Sequence, residues 1–256
     1  MKNLTRFALA LPVLGALFST TAQAADEPPC PFYENRSGLC GYYHSEISPA
    51  RAFVDTVAKR GSWSNPSERP LILDVRSTPE YKAGHPQHAV NVPWPFIYSE
   101  CNDVGPDGKV TSADGLVEND RSPDGACIST KAGTSMPQNV ADFVNYVNLV
   151  VPDKDTPIYT LCRTGVRSVG AANVLIDAGY TNVRNIWEGF WGIKLTAPKK
   201  QADTSVLVQP VDLNHDGVVN DLDNNGWRNH QDLPYETRLL PNLIYKPMAY
   251  LYDRDY

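Results

Sequence analysis

Two spacings of apolar residues alternate along the chain. Leu71-Ile72-Leu73 and Ile158-Tyr159-Thr160-Leu161, entered from Pro70 and Pro157, are short runs without a polar face, the pattern of strands buried on both sides of a sheet. Weaker signals of the same kind predict strands at 42–47, 89–92 and 183–186. Between these runs the apolar positions take helical spacing. Ser48-Pro49 supplies a cap and a proline at the first helical position, and Phe53, Val54 and Val57 continue as a stripe, predicting a helix over 49–60. Val140, Phe143, Val144 and Val147 share one face of a helix over 137–150, and further helices are predicted over 78–83 and 166–178. Strands alternating with helices define an α/β class, an open and mostly parallel sheet flanked by helices.

Three stretches break the alternation. Residues 98–135 hold few large apolar side chains and many Gly, Asp, Ser and Asn, and are too long for an ordinary connection, so they read as an insertion. Residues 201–256 are rich in Asp and Asn and then in aromatics, an acidic loop followed by an aromatic tail. At the other end Lys2 and Arg6 precede an apolar run over 7–18, and Ala22-Gln23-Ala24 has the small-x-small form of a cleavage site. This predicts a signal peptide over 1–24 cleaved after Ala24, an N-terminal arm over 25–41, a sheet domain over 42–200, and a periplasmic or secreted location. An uncleaved anchor is the alternative. The run is short for a bilayer and no other stretch approaches 18 unbroken apolar residues, so no membrane span is expected.

Composition narrows the class. Of 256 residues 42% are hydrophobic and 20% charged, which supplies a real core and excludes a disordered polymer. The net charge of −6 offers no basic face to a phosphate backbone, so no nucleic-acid partner is expected. Export makes the five cysteines informative, because an oxidising compartment favours pairing. Cys30 and Cys40 lie together in the arm, Cys101 and Cys127 bracket a Gly/Asp-rich part of the insertion, and Cys162 stands alone. The preferred disulfides are Cys30–Cys40 and Cys101–Cys127, each adding about 3 kcal/mol by loop entropy, with Cys162 a free thiol. Four cysteines allow three pairings, so the preference rests on spacing alone.

The chemistry concentrates at Cys162-Arg163-Thr164-Gly165-Val166-Arg167-Ser168, directly after a buried strand and directly before a helix. A thiol at the carboxyl end of a parallel strand lies where open α/β sheets bind ligands, and the helix N-terminus that follows favours a thiolate. Gly165 lets the backbone curl so that amides from Arg163 to Ser168 cradle one anion. Arg163 and Arg167 add two permanent cations to an acidic chain and would attract an anionic substrate. A lone cysteine before a helix can also be inert packing, but the two arginines would make burial without function costly.

This loop resembles that of the rhodanese (sulfurtransferase) family, and the resemblance covers roughly 42–195 with the insertion set aside. Leu73-Asp74-Val75-Arg76, Pro79-Glu80-Tyr81, Gly84-His85 and Ala89-Val90-Asn91-Val92-Pro93 look like the family's first signature, and Cys162 to Ser168, Ala178-Gly179-Tyr180, Val183, Asn185-Ile186 and Gly189 like its second. The resemblance implies a Cys162 persulfide that takes sulfane sulfur from a small donor such as thiosulfate and passes it to a thiol or cyanide acceptor, without an organic cofactor. It implies Arg163, Thr164, Gly165, Val166, Arg167 and Ser168 as the donor-binding loop. Two departures concern local geometry and acceptor choice: Gly84-His85-Pro86-Gln87-His88-Ala89 replaces the usual Gly-His-Ile-x-Gly-Ala, and Gly189-Phe190 replaces Gly-Gly. Phosphatases of related fold carry Arg six positions after the cysteine, whereas Arg167 is five positions on, a shorter ring suited to sulfur. Arginines at the second and last loop positions resemble thiosulfate-using members more than mercaptopyruvate-using ones. A non-catalytic module that carries sulfur or docks a partner is the reading of a different class. Asp74 and Arg76 read as structural, pairing with neighbours such as Glu80, His85 and His88 as loop residues, and Trp187 and Trp191 as core or rim aromatics.

The tail contains a second motif. Asp212, Asn214 and Asp216 put oxygens at positions 1, 3 and 5 of a twelve-residue calcium loop, Gly217 makes the turn at 6, Val218 offers a carbonyl at 7, and Asn220 and Asp223 stand at 9 and 12. The shorter Asp at position 12 resembles dockerin-type EF-hand loops. A structural Ca²⁺ pinning the tail is expected, against the alternative of a solvated Asp/Asn-rich turn. An overlapping frame from Asp221 to Asp232 and another from Asp103 to Asp114 are weaker candidates.

Overall fold

The computed structural model describes residues 41–99, 135–200 and 206–253; the predicted signal peptide, nearly all of the arm, the frame from Asp103 to Asp114 and the expected Cys30–Cys40 and Cys101–Cys127 pairings lie outside them. In chain order the elements are β1 (Ser45–Ile47), α1 (Pro49–Phe53), β2 (Leu71–Asp74), α2 (Thr78–Lys82), β3 (His85–Pro86), β4 (Val90–Asn91), β5 (Phe96–Ser99), β6 (Ser135–Pro137), α3 (Val140–Val150), β7 (Ile158–Leu161), α4 (Arg167–Asp177), β8 (Val183–Ile186), β9 (Thr196–Lys200), β10 (Val206–Pro210) and β11 (Tyr235–Glu236). Five of the strands form one sheet in the order β1-β8-β7-β2-β4, and every neighbouring pair is parallel. The open α/β architecture is as expected. Its two central apolar runs, β2 and β7, lie side by side with Leu73 and Leu161 fully buried. After β2 the chain moves outward to β4, and after β7 it moves the other way to β8. The divergence leaves a crevice at the carboxyl ends of β2 and β7, where such sheets bind ligands.

The helices are shorter than their patterns suggested. Ser48 caps α1 through the Arg51 N–H, but after Phe53 the chain widens into a π turn (Val54–Ala58) and then a 3-10 turn (Arg60–Ser62). The extra residue per turn rotates the inward face. Ala52, Asp55 and Thr56 are buried, while the predicted stripe of Phe53, Val54 and Val57 is only half-buried. Asp55 tolerates burial because it accepts bonds from Arg51 Nε and the Tyr159 hydroxyl. Likewise α3 begins at Val140, with Asn139 capping the Ala141 and Asp142 amides, because residues 135–137 are taken by β6. Its inward face is Phe143, Tyr146 and Val147, and Val140, expected on that face, is 52% exposed. The stems of the insertion, β5 and β6, pair as an antiparallel ribbon.

The tail is not an appendage. Trp227, Leu243, Tyr245, Leu251 and Tyr252 are buried in the same core as the sheet strands. Asn91 of β4 donates its N–H to Leu243 O at 2.7 Å, the Tyr146 hydroxyl of α3 donates to Ile244 O at 2.9 Å, and the Tyr252 hydroxyl bonds to Asn91. Among the described residues no helix is long and apolar enough to cross a membrane.

Candidate active site

Cys162 follows β7 and Asp74-Val75-Arg76 follows β2, so both enter the crevice, where the Val75 N–H donates to Leu161 O at 2.8 Å and joins the strand ends. Cys162 carries a free thiol, as expected, and is fully buried. Its Sγ accepts the Gly165 N–H at 3.2 Å and the Ser168 hydroxyl at 3.3 Å. Arg163, Thr164, Gly165 and Val166 form the turn from β7 to α4, and Arg167 and Ser168 open the helix. Gly165 has φ +85°, and a Cβ there would stand 1.9 Å from Trp187 O, so the loop closes on its own sulfur only with glycine. Asn185 of β8 donates to Gly165 O at 3.1 Å. The stretch after β8 braces the other side: the Phe190 N–H donates to Cys162 O and the Trp191 N–H to Arg163 O, each at 2.8 Å.

The loop's two arginines have separate fates. Arg167 is forked onto Glu80, with nitrogen–oxygen distances of 2.7 and 2.8 Å, and both side chains are largely buried. Glu80 also accepts the Ser77 N–H and hydroxyl, capping α2. Burial alone would raise the Glu80 pKa, but the charge and hydrogen bonds of Arg167, with help from Arg76 and Arg163, outweigh it and bring it down to about 2. Arg163 instead lines a cavity of about 30 Å³ with Arg76, Glu80, Phe190, Trp191 and Arg228.

Asp74 and Arg76 pair with each other, where the sequence suggested neighbours such as Glu80. Arg76 grips Asp74 with Nε and a terminal nitrogen at 2.9 and 2.6 Å, and turns its remaining donors to Glu80 O and Gly84 O. It thus meets the Glu80 carbonyl, and the Glu80 carboxylate goes to Arg167. His85 is fully buried, stacked 3.7 Å over Tyr81, with Nδ1 2.9 Å from Tyr81 O; burial pushes its pKa down and keeps the ring neutral. His88 sits at φ +65° in the turn between β3 and β4. Trp191 is a rim aromatic of the cavity, and the Trp187 carbonyl closes over Gly165.

Sequence reasoning missed Arg228, which reaches the cavity from the tail. Its backbone N–H donates to Phe190 O at 2.9 Å, the neighbouring Trp227 N–H to Gly189 O at 3.0 Å, and the Asn229 amide to Trp191 O at 2.7 Å. Gly226 and Gly192 cross so closely that a Cβ on Gly192 would lie 2.0 Å from the Gly226 nitrogen. Both departures from the family pattern meet this tail. Phe190 packs edge-on against Tyr235, β3 pairs with β11 through Pro86, and the His88 N–H reaches Glu236. No spacing in the sequence ties position 228 to position 163; the two Gly-containing stretches were the available hint.

The acidic loop makes its turn as expected. Gly217 has φ +86° and donates its N–H to Asp212 Oδ2 at 2.8 Å, and Asn220 caps the short turn Asp221–Asp223. Asp223 is buried and accepts the Leu213, Asn214 and Asn220 amides at 2.8, 3.2 and 2.7 Å. Asn214 and Asp216 are exposed and bond to each other, and Val218 O accepts the Asn220 side chain. Asp212 Oδ1 is buried without a hydrogen-bond partner. Among the described residues no group of three or more His, Cys, Asp or Glu side chains converges as a metal site. Asn225 of the overlapping frame is engaged elsewhere, its Oδ1 accepting the Ile193 N–H at 2.9 Å.

A buried thiol at the end of a parallel strand, closed in by a glycine-turned loop that opens a helix, defines a cysteine-loop α/β protein. The chain belongs to the rhodanese-like domain family, whose profile matches residues 58–195. Among curated proteins it is similar to the uncharacterized protein RP600 of Rickettsia prowazekii, 44% identical over 48 residues, covering 19% of this chain and 39% of the relative. It is also similar to rhodanese-like domain-containing protein 9, chloroplastic, of Arabidopsis thaliana, 28% identical over 123 residues, 48% of this chain and 47% of the relative. The matches therefore take in less than half the length of either relative. A solved structure, that of Rv0390 from M. tuberculosis, is similar over 77% of this chain and 99% of its own, at 22% identity and a TM-score of 0.34.

Proposed function

We propose that the protein is a sulfurtransferase that moves sulfane sulfur from thiosulfate, or a similar small donor, to a thiol or cyanide acceptor through a Cys162 persulfide. The observation that carries this is the sulfur itself, at the carboxyl end of β7 with the Gly165 N–H and Ser168 hydroxyl directed onto it. These donors favour negative charge on sulfur, first as thiolate and then as persulfide. The Cys162 thiolate attacks the outer sulfur of thiosulfate; a sulfur–sulfur bond forms, the bond to the sulfonate sulfur breaks, and sulfite leaves with its electron pair. An acceptor such as cyanide then attacks the outer persulfide sulfur, forming thiocyanate and regenerating the thiolate. The ion pair with Glu80 assigns Arg167 to holding the loop, and Arg163 lines the cavity beside that pair.

The test is thiosulfate-to-cyanide transfer by the purified protein beside Cys162→Ser. Thiocyanate from the parent alone is the expected result, and equal rates from both would overturn the assignment. The full burial of Cys162 favours a second reading, a module that carries sulfur or docks a partner without turnover. Absence of thiocyanate from the parent with every small donor would select it.

We further propose a structural Ca²⁺ in the loop over 212–223. Supporting it is the buried Asp212 Oδ1, which has no hydrogen-bond partner although the same carboxyl accepts the Gly217 N–H that closes the loop. The melting temperature with and without the ion tests this.

A further inference from the structure

We propose that the cavity at the amino ends of β2, β7 and β8 is a second ligand site, built for a short zwitterionic peptide whose terminal carboxylate meets Arg184 and whose ammonium meets an acidic rim. The cavity measures about 550 Å³ and lies at the end of the sheet opposite Cys162, where Pro70, Pro157 and Asn182 lead into the three strands. These entries are fixed to one another, the Leu71 N–H donating to Pro157 O at 3.0 Å and the Ile158 N–H to Asn182 O at 2.9 Å. Tyr159 and Arg184 are partners in the register of β7 and β8, so their side chains share one face of the sheet, the face on which Asp55 packs.

The lining is sorted by charge. Inside, the buried Asp55 carboxylate is spent on Arg51 Nε at 2.9 Å and on the Tyr159 hydroxyl at 3.2 Å. Burial and the Asp55 charge push the Tyr159 pKa up to about 12 while Arg184 opposes the rise, so a guanidinium stands beside a phenol that stays neutral. Arg184 and Asn182 are half-buried, and the Nε of one and the Oδ1 of the other are buried without a hydrogen-bond partner. An orphaned donor and an orphaned acceptor in one lining are costly, and the carboxylate and adjacent N–H of a peptide's last residue supply both complements. Outside, Glu68, Asp153 and Asp155 are exposed carboxylates on two segments, the 3-10 turn Pro66–Glu68 and the loop before β7. An inner cation alone would accept any anion and an acidic rim alone any cation; placed at opposite depths they select a molecule that carries both charges apart. Trp63, held through Nε1 on Asp55 O at 3.0 Å, adds an apolar wall, and the volume is that of a small-molecule site.

The site stands apart from the sulfur chemistry, and its test does not use turnover. Calorimetry on the full chain takes trialanine as the probe, beside N-acetyl-trialanine and trialanine amide. Trialanine should bind, and blocking either end should weaken binding about tenfold or more, the loss of one charge-assisted contact. Arg184→Gln should cost trialanine a similar factor and erase the difference between acid and amide, with partial recovery in Arg184→Lys. Asp153→Asn combined with Asp155→Asn keeps the oxygens that accept the Asp155 N–H and the Thr181 hydroxyl, and should erase the effect of acetylation whether or not Arg184→Gln folds. Arg238 is an exposed tail cation outside the cavity lining, and Arg238→Gln should change affinity by less than about twofold. No binding of trialanine, equal affinity for the blocked peptides, an amide penalty that survives in Arg184→Gln, or an equal loss in Arg238→Gln would overturn the assignment. Thiosulfate should leave trialanine binding unchanged; competition between them would move the peptide to the crevice at Cys162 and overturn it as well.

Discussion

Glu80 joins two ends of the site with one side chain. It caps α2 through Ser77 and receives the guanidinium of Arg167 at the start of α4, so helices from opposite flanks of the crevice share a carboxylate. Its capping role rests on the local pattern Ser77-x-x-Glu80. The partnership with Arg167 was not legible in the sequence, because it spans 87 positions and depends on how β2 and β7 pair. With its pKa brought from 4.5 down to about 2, ionised Glu80 contributes stability that is fully present above pH 4.5 and is lost as pH falls toward 2. Glu80→Gln should therefore lower the melting temperature at neutral pH and flatten its acid dependence. Thermal melts across that interval check this; an acid slope unchanged by the substitution would remove the pair from the account.

Among the elements, the buried strands were the most legible, because an apolar run with no polar face has few other places to go. Predicted helix ends were displaced wherever a neighbour claimed the residues: a π turn replaced the second half of the first helix, and β6 took the start of α3. The tail stretch that carries Arg228 was illegible as an element, since its order comes from bonds to Gly189, Phe190 and Trp191 and from burial of Trp227. Trp227 packs edge-on to Phe53 at 6.1 Å and bonds through Nε1 to Pro234 O. Trp227→Ala should cost about 3–5 kcal/mol by leaving a cavity where the tail meets the sheet domain. Denaturant melts read the loss, and a variant as stable as the parent would take Trp227 out of the account of the core.

At the scale of the molecule, sheet domain and tail share one core, so whatever closes the acidic loop bears on the whole fold. Asp223 ends that loop and is followed at once by the buried Asn224 and Asn225 that dock the tail. Added Ca²⁺ should raise the melting temperature, EGTA should reverse it, and Asp212→Ala should abolish the response. At a hundredfold excess over Kd, binding adds about 2.7 kcal/mol. No shift in either direction would return the loop to an ordinary solvated turn.

The amino-acid sequence by itself determined the α/β class, the place of Cys162 at the end of a buried strand and the glycine its loop requires. Each of these follows from local spacing, which a chain carries wherever it folds. Only the tertiary structure decided that Arg167 faces a carboxylate, that Phe190 and Pro86 are contact points for the tail, and that Arg228 stands beside Arg163. Those outcomes join residues far apart in the chain, and the packing that brings them together depends on the shape of the whole core.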